Sequence, residues 1–324
     1  ATVEYAQQAL ILLPKDDRRW RGAVTTLLAL SQYASGDLEN AAITLTDFHV
    51  ATRSAGQISD SISVVFSIAE IMLILGRLRE AVRFYENALA LANTHSDPPL
   101  LGSSDLYRGI SEMYREQGDL SAADDALNTA RALGAQSALP DWERRLHVTE
   151  ALMKQAAGDL DGAVALLNEA ENLLVLTPLP DVRPIEALKA RIWLRQDRLA
   201  EALAWVRARG FSPDDDPSFM REYEYITLAH ILITKYTQDG DARALDDAMT
   251  LLARLLQAAQ SSARIGRAIE ILVLQTVAYE AHGDRSQALK CLETALTWAG
   301  PEGYAGPFLE LDPDLLRETH VEQE

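Results

Sequence analysis

The sequence predicts an all-α protein, a superhelical solenoid of helix-turn-helix units of roughly 40 residues preceded by half a unit. Three observations lead there. The first is a phrase the chain keeps restating: Gly36-Asp37-Leu38-Glu39-Asn40-Ala41, Gly76-Arg77-Leu78-Arg79-Glu80-Ala81, Gly118-Asp119-Leu120-Ser121-Ala122-Ala123 and Gly158-Asp159-Leu160-Asp161-Gly162-Ala163, then again at 197–202 and 283–288, with a looser copy at Ala248. Its closing alanines fall at Ala41, Ala81, Ala123, Ala163, Ala202, Ala248 and Ala288, giving gaps of 40, 42, 40, 39, 46 and 40. The second is the apolar stripe after each turn, as in Leu78, Ala81, Tyr85, Ala88 and Leu120, Ala123, Leu127, Ala130, which has the spacing of one helix face. The third is composition: 48% hydrophobic but only 6% aromatic, dominated by Ala and Leu as stacked helices require.

Each part of the phrase has a physical task. Glycine ends one helix because it takes the left-handed conformation without steric cost. A polar residue turns the chain, and the Leu and Ala open the next apolar stripe. Small alanines at fixed points let helix backbones approach closely.

In order, 1–13 reads as the second helix of a unit, stopped by Pro14, so the chain is expected to begin inside a larger protein. Seven units follow, pairing helices near 20–35 with 38–54, 58–75 with 78–93, 102–117 with 120–133, 140–157 with 160–175, 184–196 with 199–209, 218–237 with 244–260, and 263–282 with 285–299. Polar, proline-bearing links fall at 94–99 and 176–184. Residues 1–299 are thus expected to form one continuous domain, and 300–324 a partly irregular tail, rich in proline and acid, with a frayed end.

A net charge of −18 argues against direct contact with nucleic acid or an anionic membrane, since both demand a basic footprint. No apolar run is long enough to span a bilayer, and a single cysteine, Cys291, fits a reducing compartment, so a cytoplasmic location is expected. Cys291 itself falls on an apolar helix face and reads as core. Asp214-Asp215-Asp216 lacks the ligand spacing of a calcium loop and reads as turn and helix-capping sequence. The six histidines form no metal-binding spacing, and neither a phosphate loop nor a Gly-x-Ser-x-Gly elbow occurs. No catalytic set emerges, and no cofactor or metal is expected.

The unit is of the tetratricopeptide kind, but longer than the usual 34 residues. Several segments resemble, in order, the sensor region of MalT-like, ATP-dependent LuxR-family transcriptional regulators. They include Ala9-Leu10-Ile11-Leu12-Leu13-Pro14, Trp205-Val206-Arg207-Ala208-Arg209-Gly210-Phe211-Ser212-Pro213-Asp214-Asp215, Arg221-Glu222-Tyr223-Glu224-Tyr225-Ile226-Thr227-Leu228-Ala229, Ala268-Ile269-Glu270-Ile271-Leu272-Val273-Leu274-Gln275 and Pro301-Glu302-Gly303-Tyr304-Ala305-Gly306-Pro307-Phe308-Leu309. The resemblance implies a right-handed tetratricopeptide-like superhelix. It also implies a non-catalytic sensor that binds a small-molecule inducer or a regulatory protein and controls an adjoining ATPase and DNA-binding helix-turn-helix. The chain itself carries neither of those parts, so it is the sensor alone or a stand-alone relative. The competing reading is a tetratricopeptide scaffold for protein–protein interaction with no transcriptional role.

In such stacks the first helix of each unit lines the concave face. Six residues before each turn residue stand Leu30, Glu70, Glu112, Leu152, Arg191 and Val277, and alignment puts His230 in the sixth unit's place. Nearby positions add Arg108, Arg145 and Glu270, flanked by Arg221 and Glu224. Glu70, Arg108, Glu112, Arg145, Arg191, Arg221, Glu224, His230 and Glu270 are therefore the candidate contacts for a polar ligand or partner. The alternative for each is that it pairs with another or faces water.

Overall fold

Helices form where the repeated phrase places them. The computed structural model describes residues 2–14, 17–94, 100–173, 181–309, 311 and 315–316, and contains no strand among them. A leading helix α1 (Thr2–Leu12) is followed by pair one, α2 (Arg18–Ala34) and α3 (Leu38–Ser54). In pair two, α4 (Ile58–Ser63) and α5 (Val65–Ile74) precede α6 (Leu78–Thr94); the single helix expected there breaks at Val64, beside a Ser63 hydroxyl that donates to the Asp60 carbonyl. Pair three is α7 (Ser103–Glu116) and α8 (Leu120–Ala132), and pair four is α9 (Trp142–Ala156) and α10 (Leu160–Asn172). Then come α11 (Ile185–Arg195) and α12 (Leu199–Arg209), α13 (Glu222–Asp239) and α14 (Ala242–Ser261), and α15 (Ile265–His282) and α16 (Arg285–Ala299). Of the expected links 94–99 and 176–184, residues 95–99 and 176–180 lie outside the described residues, as does the chain end at 317–324. No helix among the described residues is long and apolar enough to cross a membrane.

The turn chemistry is visible at each unit. Gly36, Gly76, Gly118, Gly158 and Gly283 all adopt positive φ, as left-handed helix ends require. Where the phrase has Asp197 instead, the aspartate itself takes φ 57°, a conformation Asp tolerates better than most residues. The aspartate after the glycine also does more than turn the chain. Asp119, Asp159 and Asp284 cap the next helix by accepting from the backbone N–H three residues on, at 3.0, 3.0 and 3.1 Å. The phrase alanines Ala41, Ala81, Ala123, Ala163, Ala202, Ala248 and Ala288 are all fully buried, so close backbone approach explains their size.

The stack comes round on itself. Gly36, ending α2, meets Phe219 just before α13; Gly76, ending α5, meets Ile265 at the start of α15; Gly118, ending α7, meets Ala305. Each contact joins positions five units apart, so the second superhelical turn sits on the first through the inner helices. Tyr304 donates its hydroxyl to Leu73 O at 2.8 Å, and Ala305 N–H donates to Glu116 O at 2.9 Å. Residues 300–309 pack back in this way, with Phe308, Leu311 and Leu315 buried in the core of the first turn, in the slot where an eighth pair would begin. The seam is tight: a Cβ on Gly266 would stand 2.1 Å from Leu73 O.

Candidate functional site

The inner helices line two adjoining chambers on the concave side of the stack. The front chamber has a volume of about 890 Å³ and the rear about 610 Å³. Both are lined by Glu70, Val182, Arg183 and Leu188, which therefore form the waist between them. The helical register explains who faces inward. Leu30, Glu70 and Glu112 line the front chamber, and Glu70, Leu152, Arg191, His230 and Val277 line the rear one.

The front chamber has walls of Ala23, Leu30, Phe48, Phe66 and Val148 over a charged floor. On that floor Arg108 donates to Glu112 at 2.5 Å, Thr149 donates to the same oxygen at 2.8 Å, and Arg183 donates to the other oxygen at 3.1 Å. Burial alone would raise the Glu112 pKa, but the Arg108 and Arg183 cations and the Thr149 hydroxyl hold it at about 2. Glu112 is thus a fixed anion serving two arginines, one on α7 and one in the link before α11. Arg145 is held by Asp141 at 2.8 Å and lies over the Phe66 ring, 5.3 Å from its centroid. Glu70 makes no ion pair among the described residues; beside it Tyr33 is buried, and that burial together with the Glu70 charge pushes the tyrosine pKa well above its ordinary value.

The rear chamber is organised around Glu270. Arg191 donates to one carboxylate oxygen at 2.5 Å and Arg267 to the other at 3.0 Å. Both guanidiniums also lie over Tyr223, Arg191 at 3.9 Å and Arg267 at 5.2 Å from the ring centroid. Burial opposes the Glu270 charge, but the two arginines win and hold its pKa at about 2. His230 is pushed the other way, down to about 4, by enclosure and by the Arg191 cation. It is a neutral imidazole at neutral pH.

Of the nine candidate residues, Arg108, Glu112 and Arg145 meet in the front chamber, Arg191, His230 and Glu270 meet in the rear one, and Glu70 belongs to both. Arg221 and Glu224 line neither chamber. Glu224 is tied to Arg209 at 2.7 Å and Arg221 at 3.1 Å, and Arg221 stacks toward Phe211 and Tyr225, so this group braces the 210–221 loop. Within that loop Asp215 accepts from Ser212 N–H at 2.9 Å and from the Tyr225 hydroxyl at 2.6 Å, a turn-holding role. Arg183, Arg267, Tyr33 and Tyr223 were not among the candidates. Arg267 sits one helical turn before Glu270 on the same face, a signal the spacing does carry. Arg183 lies in an inter-unit link, where there is no register to count.

Stacked helix pairs around two lined chambers, with no strand among the described residues, define a helical-repeat binding module. The chain belongs to the MalT-like TPR region family, whose profile spans residues 1–317. No curated protein matches the sequence. Among solved structures it is similar to the Rap conjugation gene regulator of the plasmid pLS20 in complex with the Phr* peptide, with 14% identity, 91% of this chain and 84% of that one covered, and a TM-score of 0.55. It is also similar to the APC/C hetero-tetramer Cut9–Hcn1, with 14% identity, 98% of this chain and 52% of that one covered, and a TM-score of 0.50. At such identity these likenesses show the fold alone.

Proposed function

We propose that this chain is the effector-sensing part of a MalT-like transcriptional regulator and catalyses no reaction itself. A small-molecule inducer or a short segment of a regulatory protein enters the front chamber. Its binding alters how the superhelical turns sit on one another, and so controls an adjoining ATPase and DNA-binding helix-turn-helix in the cytoplasm. The observation that carries this reading is the front chamber: about 890 Å³, apolar-walled, with a preformed charged floor, which is the size and character of a metabolite or short-peptide site. Membership of the MalT-like TPR region family supports the regulatory context. The similarly folded Rap regulator, solved with a peptide, supports capture of a ligand by such a stack.

The test is a thermal-shift screen of sugars, nucleotides, amino acids, metabolites and short peptides, because a ligand that binds only the folded state raises its melting temperature. Each hit is repeated on Ala23→Trp, which fills the chamber from its exposed side. The expected result is a hit abolished by the tryptophan. A hit with equal affinity for both proteins refutes the front-chamber assignment. A blank screen followed by capture of a partner that Ala23→Trp still binds favours the scaffold reading instead.

A further inference from the structure

The rear chamber has a charge balance opposite to that of the protein. Overall the chain carries −18, yet this cavity is lined by Arg115, Arg183, Arg191, Arg195 and Arg267 against only Glu70, Glu116 and Glu270. Glu270 bridges Arg191 and Arg267 and Glu116 pairs with Arg115, while Glu70 makes no ion pair among the described residues, so the lining holds two more arginines than glutamates. Positive charge gathered in a cleft between protein walls focuses the field there and draws anions in. The His230 imidazole senses that field, since the Arg191 cation helps keep it neutral.

Arginine is also the residue whose planar fork matches a carboxylate or phosphate with two parallel hydrogen bonds. These arginines come from both sides of the seam. Arg115 stands on α7 in the first turn, Arg267 on α15 in the second, and Arg191 and Arg195 on α11 between them. The seam residues Gly266, Tyr304 and Gly306 line the same cavity.

We infer that the rear chamber is a second binding site, which takes the phosphate or carboxylate group of a small molecule and, by being gripped from both superhelical turns, clamps the seam shut. The two chambers share Glu70 and Arg183 at the waist, but this inference turns on Arg115, Arg191, Arg195 and Arg267, which line the rear chamber and not the front one, so it stands or falls separately from the reading above. Anion occupancy would set how firmly the turns are joined, and hence how far any other ligand could move them.

The test uses isothermal titration of the whole chain with inorganic phosphate and, separately, succinate, at matched chloride ionic strength. Saturable binding of at least one anion is expected, weakened tenfold or more by Arg115→Gln with Arg195→Gln and left unchanged by Arg144→Gln in the front chamber. Arg195→Gln alone changes an exposed side chain that donates to Gln155 O at 3.2 Å, and should weaken binding at least threefold, which guards against a misfolded double variant. Phosphate alone binding assigns a phosphate ester, and succinate alone assigns a carboxylate. Hydrogen exchange at 263–270 and 303–309 should slow when the anion is bound. No saturable binding of either anion, equal binding by the double variant, or loss in Arg144→Gln alone overturns the site; binding without slower seam exchange overturns the clamp.

Discussion

Gly266→Ala probes the contact between superhelical turns directly. No left-handed φ demands glycine at this position, so alanine is conformationally allowed and the cost is one of space. The added Cβ would stand 2.1 Å from Leu73 O and 3.1 Å from Ile74 O. Carbon and carbonyl oxygen approach to about 3.3 Å at best, so α15 and α5 must part by about 1 Å. Both obstacles are backbone atoms inside helices and cannot rotate aside. Overpacking of this kind costs about 1–3 kcal/mol, here at the upper end, while alanine returns up to about 1 kcal/mol of helix propensity. The net expectation is a loss of about 2 kcal/mol, read as a lower urea midpoint. Gly22→Ala is the control, because its Cβ would meet only the Phe48 ring at 3.4 Å, an ordinary contact, and it should be neutral or stabilising. An unchanged or raised midpoint for Gly266→Ala would refute the stacked arrangement of the turns.

Glu112→Ala strands Arg108 and Arg183 without their shared carboxylate, and should cost about 3–5 kcal/mol in urea unfolding, as breaking a buried ion pair does; a loss below about 1 kcal/mol would mean the floor of the front chamber carries little energy. His230 is protonated near pH 6.5 when unfolded but only at about 4 when folded, so its share of stability is full above pH 6.5 and falls as the pH drops to about 4, by up to roughly 3 kcal/mol. His230→Gln should flatten that window in a plot of melting temperature against pH, and an unaltered slope would count against the enclosed, positive setting of the imidazole. Glu112 and Glu270, both held at about 2 against an ordinary 4.5, contribute stability that is complete above pH 4.5 and is lost as the pH falls toward 2, roughly 3 kcal/mol each. Glu270→Gln should remove its part of that acid transition, and identical acid titrations for the two proteins would contradict it.

What the sequence made legible is what repeats. The turn glycines, the buried alanines and the inward ladder from Leu30 to Val277 follow from a fixed period and a fixed helical register, so counting from one unit finds the same place in the next. Even Asp197 and His230, which break the letter of the pattern, keep its geometry. Arg183 could not be found that way, because it stands in a link with no register. Arg221 stands just ahead of α13, off the inner stripe, and its partner Glu224 turns to Arg209 rather than to the chambers. The seam left no periodic trace at all. Gly266 and Tyr304 meet Leu73 across about 190 and 230 residues, and nothing in a local pattern encodes which distant unit will come round to meet it.

That seam changes the kind of object the protein is. A simple repeat array is nearly one-dimensional: each unit touches only its neighbours, and the array can fray from either end while the middle holds. Here pairs one, two and three are each packed against a segment five units further on, so the ends of the array are held by the opposite half of the chain. Losing the last pair would uncover the second and third, and fraying would cost contacts at two places instead of one. Unfolding should therefore be sharper, and folding slower, than the local helical contacts alone would give, because the chain must close loops of nearly two hundred residues before those contacts can form.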